Sequence, residues 1–361
     1  MDVETTETSG YRTGPRARLL RIGVVAVTVI GAATSVGVAV SRSTTTEQRS
    51  DVRESGPPPV RVRSKLALVR GPNLWLIDLS GRARRRKVTR FRGIAGCPRA
   101  TATAVAPDAS SVAYYGLGGA HVAAVTGADR PLDWTGTGPG CTVSWSADSK
   151  RAAFVAGHDG LIVEPGRRSI PIAGATGISF APDGIRAAVT GTPDAVFGAV
   201  TGPGLHVLDL GPRTWRTIDP RGLTPPLWGP AEQIAYLAPL GGARSELRVI
   251  ASDGSSPRTL LTTASTLEPF AFTPDGRRLI AVHRRTSTAD HDRIEAVDVA
   301  TGAREVIVRD AVALGIDHTG RRLLVGLRAN GRLDLRLVTI TTHHGRRLQN
   351  ARAGDGASWT G

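Results

Sequence analysis

The sequence predicts an all-β protein, a ring of short four-stranded sheets, and three observations carry that prediction. One phrase recurs along the chain. In Phe270-Ala271-Phe272-Thr273-Pro274-Asp275-Gly276-Arg277-Arg278-Leu279-Ile280-Ala281-Val282 it reads as a strand, an Asp-Gly turn and a second strand. Variants stand at Ile178–Gly184 and Val143–Ser149. With the Asp of Pro-Asp-Gly as marker, the phrase falls at Asp108, Asp148, Asp183, Ala231, Asp275 and Thr319, a spacing of 35 to 48 residues. Such a period belongs to propeller blades and solenoids. Finally, 43 glycines and 23 prolines in 361 residues, with few long helix-forming runs, favour turn-rich β structure over a helix bundle.

The chain begins with a candidate cytoplasmic tail, residues 1–21, followed by an uncharged run of 20 residues from Ile22 to Ser41. A helix of that length spans the roughly 30 Å hydrocarbon core of a bilayer. Arg12, Arg16, Arg18 and Arg21 precede it and only Arg42 follows closely, so the positive-inside bias places the N-terminus in the cytoplasm and the remainder outside. The alternative is a secreted protein released by signal cleavage, with Gly37 and Ala39 as small residues at the cleavage site. Residues 42–64 are rich in Ser, Thr, Arg, Glu and Pro, too polar to order themselves, and read as a linker.

Residues 65–361 hold the repeats. Each marker is followed by a short apolar strand: Val112–Tyr115, Ala152–Val155, Ile185–Val189, Ile234–Leu237, Leu279–Val282 and Leu323–Leu327. A third strand follows, as in Leu205–Leu210 and Ile294–Val299, and a more polar fourth, as in Arg213–Ile218 and Arg304–Val308. A four-stranded sheet this small is unstable alone, and burying both faces against neighbours is the reason to stack several in a ring. The first unit supplies only second, third and fourth strands, at Lys65–Val69, Asn73–Leu79 and Arg86–Phe91. Gly356–Gly361, the last residues, resemble the start of the phrase around Trp145. If they supply the missing inner strand, the ring has seven blades, closed by pairing the two ends, with no exposed inner edge. Six blades with one irregular unit is the alternative register.

The phrase Phe-x-Pro-Asp-Gly-x-x-Leu/Ile-Ala-Val resembles the repeat of TolB-like (PD40-type) β-propellers, relatives in shape of WD40 propellers, over about residues 60–361. The resemblance is sharpest at Asp183-Gly184 and Asp275-Gly276 and weaker at Ala231 and Thr319, where the Asp is absent. It implies the fold and carries little about a ligand.

Candidate chemistry is sparse. The marker aspartates Asp108, Asp148, Asp183 and Asp275 read as structural turn residues, because Asp before Gly at a strand-to-strand turn accepts from local backbone donors. Cys97 and Cys141 are the only cysteines, and an even count in an exported chain points to a disulfide. The eight histidines show no metal-ligand spacing; Asp290-His291-Asp292 reads as a solvated loop. There is no Gly-x-Ser-x-Gly elbow, His-Glu-x-x-His or P-loop. No catalytic, cofactor or metal residue is therefore assigned, and no cofactor is expected. The net charge of +15 invites a nucleic-acid reading. Against it, nearly all the positive charge is Arg, the only lysines being Lys65, Lys87 and Lys150, and the topology puts most arginines outside the cell. The basic run Arg82, Arg84, Arg85, Arg86, Lys87, Arg90 and Arg92 reads as a charged edge that resists strand pairing, or as a footing on anionic lipid or wall polymer.

The expectation is a monomeric, membrane-anchored, extracytoplasmic propeller that is not an enzyme and binds an envelope protein or peptide. Two further classes are a sensor subunit signalling through a membrane partner, and a lyase- or lactonase-type propeller enzyme with a channel-mouth site.

Overall fold

The computed structural model describes residues 65–361 apart from 71–72, 79–83, 91–102, 117–118, 135, 137–140, 165–168, 193–201, 223, 243, 265, 285–292, 318, 330–331, 353–356 and 361. The proposed tail, span and linker lie outside the described residues, as do Cys97 and the Asp290-His291-Asp292 loop. Among the described residues no helix is long and apolar enough to cross a membrane.

Those residues form seven antiparallel four-stranded sheets, each a simple meander from inner to outer strand. Blade one joins Ala357–Thr360, Lys65–Arg70, Asn73–Asp78 and Arg84–Arg90. Its inner strand is the C-terminus of the chain: Lys65 lies opposite Thr360, Leu66 opposite Trp359, Ala67 opposite Ser358 and Leu68 opposite Ala357. The ring therefore closes by pairing its two ends, and the six-bladed register is excluded. Blades two to seven begin with inner strands at Thr103–Val105, Thr142–Trp145, Ala175–Phe180, Leu227–Trp228, Thr266–Phe272 and Ala311–Ile316.

Alternation along each strand sends successive side chains to opposite sheet faces, so every blade offers an apolar face to each neighbour. The consequence is seven separate apolar clusters, one per blade interface, rather than one central core. Between blades two and three, for example, Tyr115 meets Phe154 edge-on at 5.5 Å. The closing interface packs Leu66, Leu68 and Trp359 of blade one against Leu314, Leu324 and Leu333 of blade seven. Gly315 makes that approach possible, because a Cβ there would sit 3.0 Å from the Trp359 Cβ.

The marker turns clasp one another around one end of the ring. Asp275 Oδ1 accepts from the Thr273 hydroxyl at 2.6 Å and the Arg277 amide at 3.0 Å. Asp183 Oδ1 accepts from the Ile185 amide at 2.9 Å, Asp148 Oδ1 from Ser146 and Lys150, and Asp108 Oδ1 from Ser110. The Asp108 amide in turn donates to Ser149 Oγ of blade three at 2.9 Å, and Lys65 Nζ of blade one donates to the Ala109 carbonyl at 2.9 Å. Where the marker is missing, the chain compensates. In blade seven, with Thr319 at the marker, Asp317 accepts from the Arg321 and Arg322 amides two residues upstream. In blade five Ala231 and Glu232 both take positive φ, 55° and 58°. Ala109 and Ser149 do so as well, at 59° and 61°, in the position that Gly184 and Gly276 fill elsewhere. A left-handed L-residue costs roughly 1–2 kcal/mol, so these turns are held by their inter-blade contacts rather than by local preference.

Strand ends shift by one or two residues from the sequence reading, and one such shift bears on the site. The second strand of blade four runs Arg186–Gly191, and Ile185, read above as its first apolar residue, stands in the turn with 52% of its surface exposed.

Candidate functional site

The same end of the ring that carries the marker turns also carries the turns between third and fourth strands. Between blades three and four lies a cleft of about 710 Å³, a size typical of ligand sites. Its apolar surface comes from Ile170, Ile185, Leu210 and Pro212, and its polar groups are Arg151, Glu164, Asp209 and Arg213. Ile185 is exposed yet not loose: its amide donates to Asp183 Oδ1 and its carbonyl accepts from the Leu210 amide at 2.9 Å. Arg151 spans the cleft, donating from Nη1 to the Gly184 carbonyl at 2.6 Å and lying 3.5 Å from Glu164 Oε1 through Nη2. Asp209 Oδ1 accepts from the Gly211 amide at 3.1 Å, which fixes the opposite lip. The result is an apolar trough with charge of both signs at its rim.

Beyond the cleft, Arg186 of blade four crosses to blade five. It bonds Asp183 and Glu232 together and stacks 5.3 Å over the Trp228 ring. The Arg186 guanidinium holds the Glu232 carboxyl below the usual carboxylate range, against a smaller opposing effect of burial. Asp183 therefore works in an inter-blade ion network as well as in its turn.

The marker aspartates do not converge on a common site. Asp108, Asp148, Asp183 and Asp275 stand one per blade along the turn end, each committed to its own turn. The Thr273 hydroxyl, then the Arg277 amide, hold the Asp275 carboxyl below its ordinary range. Cys141 is buried, 1% exposed, in the apolar cluster between blades two and three, while its expected partner Cys97 is outside the described residues.

Two polar groups escaped the sequence reading. Between blades one and two, Tyr114 Oη donates to Asp129 Oδ2 at 2.7 Å, His121 Nδ1 lies 3.5 Å from Asp129 Oδ1, and the His121 ring stacks on Tyr114 with centroids 5.0 Å apart. In blade four His206 is fully buried, 3.0 Å from Thr217 Oγ1 through Nδ1, and burial pushes its pKa down. A signal was there to be found: Gly119-Ala120-His121-Val122 and Gly204-Leu205-His206-Val207 repeat the same Gly-x-His-Val at the start of a third strand. The same register position holds Arg248, Glu295 and Arg336 in blades five, six and seven.

The largest of these buried groups centres on Asp219, at the end of the outer strand of blade four. Its carboxylate accepts from the Tyr236 hydroxyl, from Arg248 Nη1 at 3.1 Å and from the Arg221 amide at 2.9 Å. Burial, then the Asp219 carboxylate, push the Tyr236 phenol up. This group sits inside the interface between blades four and five and binds the ring together. Among the described residues no three His, Cys, Asp or Glu side chains are placed to share a metal ion.

No family model matches the chain, and no curated protein matches it. Solved structures do. TolB from Acinetobacter baumannii superposes with a TM-score of 0.51 at 16% identity, over 83% of this chain and 67% of that one. An oligogalacturonate lyase in complex with manganese gives 0.52 at 14% identity, over 81% of this chain and 85% of that one. A prolyl endopeptidase structure gives 0.52 at 10% identity over 82% of this chain and 50% of that one. At such identities the likeness shows the propeller fold alone.

Proposed function

We propose that the chain is a membrane-tethered, extracytoplasmic propeller that binds an envelope protein through the cleft between blades three and four. The carrying observation is Ile185, a large apolar side chain half exposed and clamped by two backbone hydrogen bonds beside Ile170, Leu210 and Pro212. An apolar side chain of a partner segment fits that trough, and the opposed charges of Arg151, Glu164, Asp209 and Arg213 at its rim suit a segment carrying both signs. The tether is the Ile22–Ser41 span, and the oxidising compartment it implies suits a Cys97–Cys141 disulfide. The ring itself is monomeric, since pairing of its own two ends leaves no inner strand to exchange.

Photo-cross-linking on intact cells tests this. With a benzophenone amino acid in place of Ile185, irradiation is expected to yield one discrete adduct with an envelope protein. The same group in place of Leu240, the exposed residue of blade five, is expected to yield none. Charge reversal by Arg151→Glu should weaken the Ile185 adduct several-fold. No adduct, or identical adducts from both positions, would sink the proposal.

A second reading, an enzyme, draws on the Tyr114–His121–Asp129 group, where an imidazole lies 3.5 Å from a carboxylate that also accepts from a phenol. That group lies between blades one and two rather than in the cleft.

A further inference from the structure

Ring closure places the first and last blades side by side, and with them the two most basic outer strands in the molecule. The outer strand of blade one is Arg84-Arg85-Arg86-Lys87-Val88-Thr89-Arg90; that of blade seven is Gly345-Arg346-Arg347-Leu348-Gln349-Asn350-Ala351-Arg352. Together these strands carry eight Lys and Arg and no Asp or Glu in fifteen residues. The outer strands of blades two, three and four, at Asp129–Pro131, Ile170–Ala173 and Thr214–Asp219, have no net charge. Those of blades five and six, at Arg258–Thr263 and Arg304–Arg309, have a net charge of +1 each.

A general need to protect sheet edges does not produce this asymmetry, because the other five blades leave their edges without such a run. Nor does a general excess of arginine, since the whole chain carries 31 acidic residues and these strands exclude them all. Lys87, Arg346 and Arg347 are exposed. Among the described residues, Asp334 from the third strand of blade seven reaches this edge. Arg347 lies 2.8 Å and Arg336 2.9 Å from it, two cations on one anion.

We infer that the neighbouring outer edges of blades seven and one dock on a bilayer surface rich in anionic phospholipid. This inference rests on the membrane tether proposed above. Charge complementarity selects the partner, and the two basic strands mark the surface. Blade one starts at Lys65, only 23 residues beyond Ser41, so a fully extended connection holds it within about 80 Å of the membrane. Each cation brought near an anionic surface strengthens association about fivefold, and the effect fades beyond a Debye length. Edge-on docking would turn the blade three and four cleft, on the far side of the ring, outward toward a partner.

The test uses the full chain reconstituted in nanodiscs, of phosphatidylcholine alone or mixed with phosphatidylglycerol, each with a nitroxide-headgroup quencher lipid. A fluorophore is placed on Thr342→Cys, beside the blade seven edge, or on Thr214→Cys of blade four, both exposed. In the anionic discs, quenching at residue 342 is expected to exceed that at 214 several-fold. The excess should vanish in neutral discs, in high salt, and in an R85E/R86E/R346E variant whose melting temperature matches the parent. Equal quenching at both positions in a chain that floats with the discs overturns the docking and leaves the tether standing. A chain that floats with neither lipid overturns both. A residue 342 probe that responds to added polyphosphate, with no effect of phosphatidylglycerol, assigns the edge to a soluble polyanion and overturns the lipid inference.

Discussion

Deletion of Ala357–Gly361 is expected to collapse the stability of the whole ring. The strand supplies the inner edge of blade one, and its Trp359, 7% exposed, fills the closing interface with Leu66, Leu68, Leu314 and Leu324. Truncating a buried aromatic alone costs about 3–5 kcal/mol, against about 5–15 kcal/mol for a typical domain. Trp359→Ala should therefore shift the urea midpoint strongly while leaving the chain folded in water. Removing the whole strand goes further, since it also unpairs the backbone of Lys65–Leu68 and bares an apolar edge that another chain can pair with. The truncated protein should sediment as oligomers or aggregate. A truncated monomer with the parental midpoint would contradict closure by the C-terminal strand.

Asp219→Ala is expected to be the most damaging single substitution in the interface of blades four and five. Asp219 and Arg248 are 5% and 9% exposed at the side chain, and Tyr236 is fully buried. Removing one member of a buried ion pair leaves the other charged and unpartnered, typically at a cost of about 3–5 kcal/mol. Glu246, whose Oε2 lies 3.9 Å from Arg248 Nε, softens the loss only in part. Arg248→Met added to Asp219→Ala should recover much of the stability, because the stranded charge is gone. Denaturation of the two single variants and the double variant gives the coupling directly. Additive losses would mean that Asp219 and Arg248 do not act as a pair.

The repeat architecture was legible in the sequence because its causes are local. Turns of the Pro-Asp-Gly kind and apolar strands of four to six residues recur along the chain, and Gly356–Gly361 shows its kinship with Val143–Trp145 by composition. Even the departures follow a local rule: Asp317 replaces the lost marker by bonding the same turn from two residues upstream. What the sequence hid is what one blade does to the next. Asp219 and Arg248 meet across 29 residues and Arg186 and Glu232 across 46, and no spacing announces such pairs. Ile185 was misread for the same reason. An isoleucine after Asp-Gly fits a buried strand on propensity, and only the placement of Leu210 and Ile170 from neighbouring turns shows that it borders a cleft. The basic edge needed closure as well, since Arg84–Arg90 and Gly345–Arg352 stand at opposite ends of the chain.

Covalent trapping across the seam bears most directly on all of this. Lys65 and Thr360 face each other in the closing strand pair, so Lys65→Cys with Thr360→Cys should oxidise readily to an intramolecular disulfide. Peptide mapping of the full chain is expected to recover residues 65 and 360 in one cross-linked fragment of a monomer, with unchanged melting of the ring. Two free thiols after mild oxidation, or a disulfide formed only between chains, would contradict a seven-bladed ring sealed by its own ends.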